Sequence, residues 1–81
     1  MKLISAKSTE HYQQITIETG SWIFKKRTTY VRSKKNRCDI FKVTKSGMEV
    51  ESWGSSGYGY TICKLMNYLE DTNQLQDTTN L

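Results

Sequence analysis

Short stretches of alternating apolar and polar residues follow one another along most of this chain, and a single helical pattern closes the series. In HYQQITIET, residues 11–19, Ile15 and Ile17 alternate with polar neighbours and are β-branched, which predicts a strand. Gly20 and Ser21 make a turn. SWIFKKRTTYVR, residues 21–32, is aromatic and threonine-rich and predicts a second, longer strand. Its alternation slips: Trp22 and Phe24 share a face with Tyr30, and Ile23 shares the other with Val31. Such a slip marks a bulge or a face that changes role along the strand. After the polar loop SKKNR, CDIFKVTK predicts a third strand with Phe41 and Val43 on one face. Lys45, Ser46 and Gly47 form a tight turn into a fourth strand, MEVESW, in which Met48 and Val50 alternate with Glu49 and Glu51.

The pattern then changes period. Ile62, Leu65, Met66 and Leu69 fall at i, i+3, i+4 and i+7, the apolar face of a helix. Ser55 and Ser56 are N-cap candidates, and the glycines of GSSGYGY let the chain reverse. Short links favour an antiparallel meander, and the helix is the element available to cover one of its faces. The expected fold is α+β, a four-stranded antiparallel sheet with one C-terminal helix packed on it. Residues 1–71 are read as one ββββα domain. Residues 72–81 hold little that a core could bury and are read as a frayed or disordered tail.

Composition narrows the class. Eighty-one residues with nine aromatic side chains suffice for one small core. The chain holds no apolar run near the ~20 residues that cross a bilayer, and the apolar run in its first residues is shorter than a secretory signal is expected to have. A cytoplasmic protein with no membrane partner is expected, as monomer or homodimer. Cys38 and Cys63 are too few for a disulfide framework and too far from His11 in sequence to suggest a metal site. No cofactor is implied.

Charge is unevenly placed. Residues 25–45 carry nine Lys and Arg against Asp39 alone, whereas residues 65–81 carry three acids and no base. Lys25, Lys26, Arg27, Tyr30, Arg32, Lys34, Lys35 and Arg37 are therefore the candidate partner-binding residues. Cations interleaved with aromatic rings suit phosphate tracking and base stacking, and equally an acidic protein surface. Catalysis has less to stand on. His11 is the one histidine, Glu49 and Glu51 read as a solvated face, and no nucleophile has an obvious base. No enzyme is expected. Gly57-x-Gly59 before a helix can bind anions, but no Gly-Lys-Ser/Thr follows, so the loop reads as a crossover.

Met1-Lys2, Ile4, Ser8-Thr9, His11 and Ile17, then Glu51-Ser52-Trp53, Gly57-x-Gly59 and Met66-Asn67, lie in register with a known family. On these residues the chain resembles the small anti-CRISPR proteins of bacteriophages, in particular the sheet-and-helix family that blocks type I-F surveillance complexes. The resemblance covers both ends and not residues 18–50. It implies a phage-borne inhibitor that binds a host protein or ribonucleoprotein complex on its sheet, without catalysis. Ala6, Gly20 and Val31 stand where that family has its contact tyrosines and acid, so no contact residue carries over. The alternative function is a small basic protein that binds RNA or DNA directly.

Overall fold

The computed structural model describes residues 2–54 and 57–77. Five antiparallel strands form the sheet: β1 (Lys2–Ser8), β2 (Tyr12–Thr19), β3 (Lys26–Ser33), β4 (Ile40–Thr44) and β5 (Gly47–Val50). The helix α1 (Gly59–Asp71) follows, and a two-residue strand β6 (Gln76–Asp77) runs parallel to β1 at the far edge. The order across the sheet is β5-β4-β3-β2-β1-β6. The α+β class and C-terminal helix agree with expectation. The count of four strands does not, because the chain begins with a fifth.

β1 is hidden in the sequence by a register shift between Leu3 and Ser5. Leu3 opposes Ile17 and Ala6 opposes Ile15, with one residue too many between them for strict alternation. Two adjacent apolar residues, Leu3 and Ile4, therefore replace the expected every-other pattern. At the other end of the chain, Gln76 and Asp77 pair with Lys7 and Ser8. These two belong to the segment expected to fray; residues 78–81 lie outside the described residues.

The long second strand is also shorter than its sequence suggests. β3 starts at Lys26, and Trp22–Phe24 form a single 3-10 turn ahead of it. The slip in alternation marks this boundary.

One face of the sheet carries Ile15, Ile17, Tyr30 and Ile40, and the helix lays Ile62, Cys63, Met66 and Leu69 on it. Leu65 is half-buried at the margin rather than central, so the buried stripe is rotated slightly toward Cys63. Ser55 and Ser56, the N-cap candidates, lie outside the described residues. Instead, Tyr58 occupies the cap position, and its backbone N–H donates to the Glu51 carboxylate at 2.9 Å.

Met66 has no exposed surface at the centre of this core. Met66→Ala should lose about 2–5 kcal/mol of stability in urea titrations, a large share of the roughly 4–12 kcal/mol that a domain of this size holds. Leu65→Ala, at the margin, should lose less than half as much.

Candidate interaction surfaces

The most buried large side chain is a charged one. Arg32 is 0% exposed between sheet and helix. Its Nε donates to Gln13 Oε1 at 2.7 Å, and Nη1 donates to Asn67 Oδ1 at 2.8 Å. Gln13 in turn donates through Nε2 to the Glu70 carboxylate. Arg32 Nη2 lies 3.7 Å from Glu70 Oε2, in ionic contact but without a hydrogen bond. Arg37 closes the network from outside, with Nη2 at 2.9 Å from Glu70 Oε1 and 3.0 Å from Asn67 Oδ1. Burial, then the nearby Arg37 cation, lowers the Arg32 pKa; Cys63 and Glu70 oppose the shift. The sequence signal for this network is Arg32 itself. It occupies a position two residues beyond Tyr30, on the inward parity of its strand.

This placement alters the expected basic patch. Tyr30 and Arg32 face inward and are buried, so neither stands on an exposed basic patch; Arg32 lies beneath the helix, and Tyr30 reaches the floor of a trough beside it. The six exposed candidates fall into two groups. Lys25, Lys26 and Arg27 stand at the start of β3; Lys34, Lys35 and Arg37 stand beyond its end. Seven residue steps of extended chain, about 23 Å at ~3.3 Å per step, separate Arg27 from Lys34. Part of each group is already engaged. Glu18 lies 3.2 Å from Arg27 and 3.9 Å from Lys25, and Arg37 is held by Glu70. Among the described residues, no ion pair engages Lys26, Lys34 or Lys35.

Three further surfaces stand out in the structure. The first is the turn before β3, where Trp22, Ile23 and Phe24 are 80%, 72% and 77% exposed. Trp22 adopts φ +56°, a left-handed conformation that costs a bulky residue about 1–3 kcal/mol. Gly20 closes the turn at φ +88°, and a Cβ there would collide with the Phe24 carbonyl. Their sequence signal was the slipping alternation, read as strand.

The second is the sheet face away from the helix. Val31, Phe41 and Val50 form one row across β3, β4 and β5, and Val43 and Met48 form the next. Val31, Phe41, Val43 and Met48 border a shallow groove of about 600 Å³ that Tyr12, Gln14 and Lys45 also line. The third lies on the helix side. The helix covers the part of the sheet that carries Gln13, Arg32 and Ile40. Beside its N-terminus it leaves a trough of about 620 Å³ lined by Thr19, Lys26, Thr28, Lys42, Tyr58 and Thr61, with Ile17 and Tyr30 as floor.

The glycine loop is accounted for by packing. A Cβ at Gly57 would collide with the Ser52 carbonyl, and one at Gly59 would come within 2.8 Å of the Trp53 ring. The Trp53 ring in turn stacks edge-on with Tyr60, and Lys64 sits over that ring. His11 is exposed and lies 3.9 Å from Glu10. Cys38 is exposed and Cys63 buried, both unbridged. Among the described residues, no group of three His, Cys, Asp or Glu is placed to hold a metal, and no helix is long and apolar enough to cross a membrane. Comparison of the chain with protein-family models, curated proteins and solved structures finds no match.

Burial first, then the Glu51 and Tyr58 charges, raise the Tyr30 pKa above 10.0. The unfolded chain would lose this proton near pH 10 while the folded chain keeps it. The Tyr30 contribution to stability is thus complete below pH 10 and declines as pH rises through the folded pKa. Urea titrations from pH 8 to 11 should show the wild type losing stability faster than Tyr30→Phe above pH 10. Parallel curves would show that Tyr30 ionises as easily in the folded state as in the unfolded one.

Proposed function

We propose that this chain is an inhibitory protein-binding module, anti-CRISPR-like and phage-borne, acting in the host cytoplasm. It blocks a host nucleic-acid-handling complex by occupying the surface of one of its proteins. The observation that carries this reading is the sheet face that the helix does not cover, with Val31, Phe41, Val43 and Met48 around a groove and Val50 beside Phe41. An aliphatic and aromatic strip of this kind suits the dry centre of a protein–protein contact. Bases and phosphates would call for rings and cations instead. The resemblance set out above implies a partner bound on the sheet, and the helix leaves this face free.

Occupation needs no reaction. The groove is lined by apolar and neutral polar side chains apart from Lys45, and binding alone withholds the covered surface from its normal partner. The alternative, a protein whose whole function is to hold RNA or DNA along one basic surface, is weakened by the separation of the cations into two groups.

Capture from host lysate on immobilised protein, with and without nuclease, tests the proposal. A host protein should be retained after nuclease treatment. Val43→Asp and Met48→Asp, both at exposed positions, should reduce its retention at least tenfold with an unchanged melting temperature. Retention that disappears with nuclease, or that ignores both substitutions, would overturn the reading.

A further inference from the structure

The trough beside the helix N-terminus reaches the base of the exposed turn before β3. Thr19 and Lys26 pair across the base of that turn and also line the trough. From this edge the walls are of three chemical kinds. Lys26 and Lys42 bring cations, and both are on the helix-facing parity of their strands. Thr19, Thr28 and Thr61 bring hydroxyls. Tyr58, exposed at the helix start, brings an aromatic face, and Ile17 and Tyr30 form a floor. Trp22 and Phe24 are exposed in the turn whose base Thr19 and Lys26 form, and Gly20 keeps that turn closed. Glu51 is the one acid lining the trough, and the Tyr58 backbone N–H already binds its carboxylate.

A concave site with an apolar floor, lysines on two neighbouring strands and an exposed tyrosine, adjoining a turn with two exposed aromatic rings, has the recognition chemistry of single-stranded nucleic acid. Phosphates pair with the lysines, and unstacked bases lie on rings that accept any sequence. A duplex would not fit, because its bases are stacked away and a trough of about 620 Å³ takes one or two nucleotides. We propose that this trough and the Trp22–Phe24 turn bind a short single strand of RNA or DNA. Lys26 and Lys42 hold phosphate, and Trp22, Phe24 and Tyr58 stack bases. The site lies on the opposite side of the sheet from the Val31–Val50 face and does not rest on the reading above. A module with both could cover a protein and hold the strand that protein handles.

Fluorescence anisotropy with labelled dT12 and rU12, at 0.05 and 0.15 M salt, tests it. Saturable binding is expected at 0.05 M and should weaken with salt. Lys26→Ala/Lys42→Ala should weaken it at least tenfold and lower the magnitude of the log–log salt slope by about 1.4, two phosphate contacts on a single strand. Trp22→Ala/Phe24→Ala should weaken it at least fivefold, the low end of base stacking, and leave the slope unchanged. Lys26→Arg/Lys42→Arg should bind like the wild type. Lys34→Ala/Lys35→Ala, at the other end of the sheet, should change affinity less than twofold. No saturable binding at 0.05 M salt, equal or tighter binding to a 12-base-pair duplex, or an equal loss from Lys34→Ala/Lys35→Ala would overturn the proposal.

Discussion

The pairing of the buried Arg32 guanidinium with Glu70, bridged by Gln13, is the constraint around which this fold is arranged. A guanidinium taken wholly out of water loses its hydration, which costs several kcal/mol unless charge and hydrogen bonds replace it. Here a carboxylate and an amide from the helix, and an amide from β2, supply the replacement. The apolar core is small, and Ile62, Met66 and Leu69 could sit on a sheet of isoleucines in more than one way. The directed contacts at Asn67 and Glu70 distinguish among those ways, since a shift of the helix by one turn would separate Arg32 from both. Arg37 then covers the ion pair from the solvent side.

Seating the helix at that end determines what remains open. Its C-terminal half lies over Gln13 and Arg32, so its N-terminus stops short of the β2–β3 turn and leaves the trough between Lys26, Lys42 and Tyr58. Among the described residues, one helix and five antiparallel strands leave the second face of the sheet without cover, and the apolar strip from Val31 to Val50 lies on it. Two surfaces of different chemistry thus stand on opposite sides of one thin sheet. The aliphatic one suits a protein. The one with lysines and rings suits a charged, base-bearing chain.

Much of the architecture was legible in the sequence, for physical reasons that also explain what was not. β2, β4 and the helix carry clean periodicity because each buries one face only. β1 was not legible because its bulge breaks the alternation between Leu3 and Ser5. The 3-10 turn was read as strand because Trp22, Ile23 and Phe24 have the composition of a strand, and only their exposure distinguishes them. The basic run was visible as a run but not as two groups, since linear charge does not tell which residues a strand turns inward. Arg32 shows the same limit: a residue type found mostly at surfaces sits at the centre, and its side-chain partners lie 19 to 38 positions away along the chain.

A double-mutant cycle on Arg32 and Glu70 tests the central role of this pair most directly. Stabilities of the wild type, Arg32→Met, Glu70→Gln and the double variant would be compared by urea titration. The account predicts a coupling above about 1 kcal/mol, because each single substitution leaves the other charge short of its partner at the sheet–helix boundary. Costs that add within about 0.5 kcal/mol would contradict it, and would mean that apolar packing alone seats the helix.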